Sequence, residues 1–143
     1  MSNRKLTLTV ESCLENLPLV GSAIKGVCSL VIKDAVELYQ IELCVIEAAS
    51  NIVKHAYNNQ PGRFFEITVT ITENNIDFEL VDNGLVGIIT MANELHFDPE
   101  CPETIPESGM GLYLINQLMD EVSFTSINGQ NVTHLRKIYH ESS

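Results

Sequence analysis

The hydrophobic period of this chain switches from two residues to about 3.6 and back, and then does so again, which limits the folds open to it more than any other feature. Leu6, Leu8 and Val10 alternate with Thr7, Thr9 and Glu11, the pattern of a half-buried strand. Pro18 suits a first helical turn, and Val20, Ile24, Val27 and Val31 then predict a helix over about 17–31. Asp34, followed three residues later by Glu37, is a capping box that opens a second and longer helix running to about Tyr57. Asn58-Asn59-Gln60-Pro61-Gly62 breaks it. Two strands follow, over about 64–72 and 76–82, joined at Glu73-Asn74-Asn75 as a hairpin. A third helix over about 109–119 and closing strands over about 122–127 and 131–139 complete the pattern.

Between them, roughly 85–108 has no sustained period, carries Pro99, Pro102 and Pro106, and collects five acidic residues. Aperiodic stretches of this length inside a compact domain are usually lids or disordered loops, and a lid-like loop is the expectation here.

At 143 residues, with 45% hydrophobic and 19% charged, the chain fits a single domain over residues 1–143 with enough apolar material for a core. Its 8 Lys+Arg against 19 Asp+Glu leave a net charge of −11, which gives no footprint for nucleic acid or an anionic membrane. Such a domain can still hold a nucleotide, because that site is local and magnesium offsets phosphate charge; a basic protein partner also suits it. Cys13, Cys28, Cys44 and Cys101 lack C-x-x-C spacing, and the first three sit in apolar surroundings, as buried free thiols do. The N-terminus has no apolar signal core, and no window approaches the ~20 apolar residues of a membrane span. The expectation is a cytoplasmic, reduced protein.

Three segments carry chemistry. On the long helix, Glu47, Asn51 and Lys54/His55 share one stripe, with Ile41, Val45, Ala48, Ala49, Ile52 and Ala56 across from it. This is either an ordinary wet face or a carboxylate and an amide one turn apart, suited to accept a proton and to ligate magnesium. In the strand Ile76–Asp82, Asp82 falls on the face of Ile76, Phe78 and Leu80, where a carboxylate needs a partner such as an adenine amino group. Asp82-Asn83-Gly84 also reads as a plain turn. Ser108-Gly109-Met110-Gly111-Leu112 opens the third helix, either as a simple start or as a cradle where backbone N–H groups meet an anion.

In this order, with a lid-like loop between the second and third, the segments resemble the N, G1 and G2 boxes of the GHKL ATPases. The resemblance is closer to the anti-sigma-factor serine kinase branch. Glu47-Ala48-Ala49-Ser50-Asn51, continuing to His55-Ala56-Tyr57, looks like that branch's N box, and Gly109-Met110-Gly111-Leu112-Tyr113-Leu114-Ile115 is similar to its G2 box. It extends over about residues 6–139, nearly the whole chain.

The resemblance implies an α+β two-layer sandwich, a mostly antiparallel sheet with helices on one face, known as the Bergerat ATP-binding fold. It implies ATP and Mg2+ as ligands, with Glu47 as general base, Asn51 as magnesium ligand, Asp82 as adenine reader and Gly84 keeping space at the base. Gly109, Met110, Gly111 and the N–H groups near Leu112 would hold phosphates, and Lys54 and His55 would lie near them or shape the pocket. It further implies a serine/threonine kinase that modifies a small STAS-type antagonist, sequesters a sigma factor and pairs as a homodimer. A non-catalytic switch module and a detached ATPase module are the alternatives. Two departures stand out. Val86 occupies the position of a second G1 glycine, and Gln130-Asn131-Val132-Thr133 lacks the family's Gly-Thr pair, leaving Asn131 and Thr133 both open as its substitute.

Overall fold

The protein is described here from a computed structural model, which covers residues 3–85 and 110–140. Strand β1 (Arg4–Glu11) is followed by a 3-10 turn (Leu14–Asn16), helix α1 (Leu17–Cys28) and helix α2 (Ala35–Asn51). Helix α2 runs directly into a π-helical turn (Ile52–Ala56). Strands β2 (Phe64–Ile71) and β3 (Asn75–Asp82), helix α3 (Met110–Leu118), and strands β4 (Glu121–Ile127) and β5 (Gln130–Ile138) complete the described elements. The lid-like loop beyond Leu85, together with Gly109 and Cys101, lies outside the described residues.

All the pairings are antiparallel, in the order β1-β2-β3-β5-β4, so β3 is central and β1 and β4 are edges. The alternation in the sequence sets the two faces. Phe65, Ile67, Val69, Ile76, Phe78 and Leu80 point inward and are buried. Against them pack Val20 and Ile24 of α1, Ile41, Val45 and Ala49 of α2, and Ile115 of α3. The opposite face of the sheet carries polar pairs: the Thr7 and Thr68 hydroxyls lie 2.9 Å apart, and Asp77 accepts from Arg136 at 2.7 Å and meets His134 at 2.7 Å. The fold is the expected α+β two-layer arrangement with its helices on one face.

Asp34 is the N-cap of α2 as expected, its carboxylate accepting from the Glu37 N–H at 3.1 Å. Cys28 and Cys44 are free and buried, and burial pushes each thiol up to about 12. Among the described residues no helix is long and apolar enough to cross a membrane.

The long helix departs from expectation at its C-terminal end. A regular α-helix to Tyr57 would keep Lys54 and His55 in the stripe of Glu47 and Asn51. Instead the Tyr57 N–H bonds the Ile52 carbonyl at 2.9 Å, an i→i+5 step that widens the turn. Lys54 is left exposed and His55 half-buried.

Candidate functional site

Asp82 ends the central strand on its inward face and is 2% exposed. Its Oδ1 accepts from the Gly84 N–H at 2.9 Å and from Asn131 Nδ2 at 2.7 Å; its Oδ2 is buried with no partner. Burial raises the carboxyl pKa above its ordinary value, and the two hydrogen bonds pull the other way. A buried carboxylate oxygen without a donor is costly, so the site is built to receive one.

Antiparallel register places Asn131 directly opposite Asp82 and Thr133 opposite Leu80. Of the two residues left open by the sequence, Asn131 therefore bonds the carboxylate. Its amide also donates to the Gly84 carbonyl at 3.1 Å and the Leu85 carbonyl at 3.2 Å. Thr133 is buried two pairs further along the strand.

The segment after Asp82 is clamped from its other side by the end of the long helix. The Leu85 N–H bonds the Ala56 carbonyl at 2.8 Å, and the Asn83 N–H donates to the Tyr57 hydroxyl at 3.0 Å. That hydroxyl in turn donates to the Phe64 carbonyl at 2.6 Å. A Cβ on Gly84 would run into the Ala56 carbonyl, whose carbon would lie 2.6 Å away, so only glycine fits. Neither the Tyr57 link nor the Ala56 link follows from the sequence pattern. The signal that finds them is spatial: they appear once the π turn is seen to aim the helix end at the exit of β3.

Glu47 and Gly111 meet at the start of α3. A Cβ on Gly111 would lie 2.5 Å from Glu47 Oε2, so the half-buried Glu47 carboxylate sits against the first turn of that helix. A helix N-terminus favours negative charge there. Asn51, the last residue of α2, is half-buried one turn further on, and its Nδ2 is buried without a partner. Leu112 is 2% exposed and anchors the turn, while Met110 is the first residue of α3. Glu47 and Gly111 thus come together, with Asn51 one helical turn from the first and Leu112 next to the second in the chain, as do Asp82, Gly84 and Asn131. Among the candidates whose burial is described, Lys54 is the exposed one.

The donor set suits a purine nucleotide with magnesium. The unpartnered Asp82 Oδ2 matches an exocyclic amine, and the N-terminal end of α3 is the kind of place where backbone N–H groups meet phosphate oxygens. Among the described residues no group of three or more His, Cys, Asp or Glu could hold a metal. Asn51 offers one amide oxygen that would serve as a magnesium ligand, the remaining positions being left to phosphates and water.

Known proteins resemble this chain over most of its length. The model of the histidine kinase-like ATPase domain matches residues 10–137. The serine-protein kinase RsbW of Bacillus mycoides (strain KBAB4) is 28% identical over 142 residues, covering 96% of this chain and 87% of its own. The RsbW kinase of Bacillus cereus (strain AH820) is 27% identical over 140 residues, with the same coverage. Among solved structures, the RsbU and RsbW domains of Rv1364c from Mycobacterium tuberculosis superpose with a TM-score of 0.65 at 14% identity. That match covers 94% of this chain and 32% of the longer Mycobacterium chain. The SiaB-SiaC complex from Pseudomonas aeruginosa gives a TM-score of 0.62 at 14% identity, over 92% of this chain and 89% of that one. These two likenesses speak to the fold. With nine-tenths of its length under the family model, the chain belongs to the histidine kinase-like ATPase domain family, alongside the RsbW-type anti-sigma-factor kinases.

Proposed function

We propose that this chain binds Mg-ATP and acts as an anti-sigma regulatory kinase, transferring phosphate to a serine or threonine of a small STAS-type antagonist and sequestering a sigma factor when free. The observation that carries the reading is the Glu47 carboxylate held against Gly111 at the start of α3, one helical turn before Asn51. That geometry sets a proton acceptor beside the N–H groups that would hold phosphate.

The division of labour follows from position. Asp82 Oδ2 takes a donor from the base, and Gly84 lets the chain pass close to the Ala56 carbonyl beneath it. Asn51 supplies the metal ligand, and Gly109, Met110, Gly111 and Leu112 supply the phosphate cradle. Glu47 accepts the proton of the acceptor hydroxyl as its oxygen bonds the γ-phosphorus and ADP departs. Bound magnesium offsets phosphate charge during that transfer. His55, half-buried in the π turn, shapes the pocket wall; Lys54, exposed, has at most a peripheral part.

Incubating the protein with Mg-ATP and a candidate STAS partner, then weighing the partner, tests the reading. Gain of one phosphate supports transfer. A partner that binds but stays unmodified favours the non-catalytic switch, and Glu47→Ala is expected to keep ATP binding while cutting transfer roughly 10²–10⁴-fold.

A homodimer belongs to the same proposal, and the β1 edge supports it. Leu6, Leu19 and Leu30 are 43%, 69% and 61% exposed along the open side of the two layers. No acidic residue occurs from Leu17 to Lys33, although the chain carries 19. A two-fold pairing of β1 with its own copy about Leu8 keeps the inward face inward and sets Lys5 opposite Glu11.

A further inference from the structure

Two acceptor oxygens in the candidate site are buried and lack a donor: Asp82 Oδ2 and Asn131 Oδ1. One hydrogen bond, from Asn131 Nδ2 to Asp82 Oδ1 at 2.7 Å, joins the two groups, so the orphans belong to one bonded pair of side chains. The amide has only one workable orientation. Its nitrogen lies within 3.2 Å of three acceptors, the Asp82 carboxylate and the carbonyls of Gly84 and Leu85. Turning it over would set an oxygen against all three. Both amide hydrogens are therefore spent on holding the segment after β3, and the oxygen is what Asn131 has left for a ligand.

Two acceptors on one hydrogen-bonded pair of side chains call for two donor hydrogens, and an exocyclic amine carries two on a single nitrogen. We propose that Asn131 is a base-specificity residue: Asp82 Oδ2 and Asn131 Oδ1 each accept one hydrogen of the adenine amino group, so that both are read. This rests on the nucleotide reading of the site. A base with a carbonyl oxygen at that position would present an acceptor to two acceptors. A singly alkylated amine would leave one of them unmet, at a cost of about tenfold in affinity.

Calorimetric titration of the intact protein with Mg-ATP, Mg-N6-methyl-ATP, Mg-N6,N6-dimethyl-ATP and Mg-ITP tests it without any activity readout. N6-methyl-ATP is expected to bind about tenfold more weakly than ATP, and the dimethyl analogue and ITP about a hundredfold more weakly. In Asn131→Thr, with folding checked by thermal unfolding, the N6-methyl penalty should shrink to within about threefold. N6-methyl-ATP binding as well as ATP to the wild-type protein would show that one hydrogen alone is read, and would overturn this inference while leaving the nucleotide reading intact. An unchanged penalty in Asn131→Thr would do the same, and if that variant fails to fold, the wild-type analogue series decides. Absence of ATP binding would sink the nucleotide reading itself, and GTP binding tighter than ATP would assign the two oxygens to a different base edge.

Discussion

Gly84 and Gly111 are both confined by their neighbours, but by different kinds of atom. A side chain at Gly84 meets the rigid Ala56 backbone, so Gly84→Ala is expected to destabilise the fold by about 1–3 kcal/mol, read as a lower melting temperature. One at Gly111 meets the tip of the long Glu47 side chain, which can turn aside about its own bonds. Gly111→Ala should therefore unfold nearly as the wild type does yet lose phosphoryl transfer, and equal loss of stability in both variants would contradict this assignment. Asp82 couples ligand binding to pH. Its carboxyl holds its proton to higher pH when folded, so the native state binds more protons over the interval that begins at 3.8 and extends upward. Without nucleotide, stability should fall as pH rises through that interval, and ATP affinity, which needs the ionised acceptor, should rise. Asp82→Asn should remove both trends and cost about 1–3 kcal/mol of ATP affinity in a direct titration. The inward phase of Asp82 was legible in the alternation of its strand. The role of Asn131 was not, because its partner stands 49 positions away and is defined only by strand register.

Among the elements, the strands and helices were legible because each repeats its own period, and the Asp34 cap because its chemistry is local. The 3-10 turn at Leu14–Asn16 and the π turn at Ile52–Ala56 were not. A step of five in place of four leaves no composition of its own, and the apolar residues of this turn would suit a regular α-helix equally well. The difference has consequences for Tyr57, which emerges 2% exposed with its hydroxyl bonded to the start of β2 and the exit of β3. Arg63 stacks on its ring at 4.7 Å. Tyr57→Phe strands the Phe64 carbonyl and the Asn83 N–H, and is expected to cost about 1–3 kcal/mol in denaturant unfolding. ATP affinity should fall with it, since Asn83 adjoins Asp82.

For the whole molecule, the helices cover one face of the sheet and leave β1 as an open edge beside an apolar cleft. If two copies pair there, Lys5→Glu should shift sedimentation towards the monomer, and Lys5→Glu combined with Glu11→Lys should restore the dimer. Failure of the double reversal to rescue would rule out that register. The interior also governs reactivity: with their thiols pushed up to about 12, Cys28 and Cys44 should resist alkylation near pH 8 until the chain unfolds. The wide turn after α2 sets the distance between the helix bearing Glu47 and Asn51 and the strand end bearing Asp82. What that turn stores is a length, not an identity. Conservative exchanges within residues 52–56 leave the count of residues intact, whereas deleting any one of them would straighten the helix and carry Ala56 and Tyr57 out of reach of the segment they grip. The join between the two halves of the site is thus guarded against shortening more strictly than against substitution.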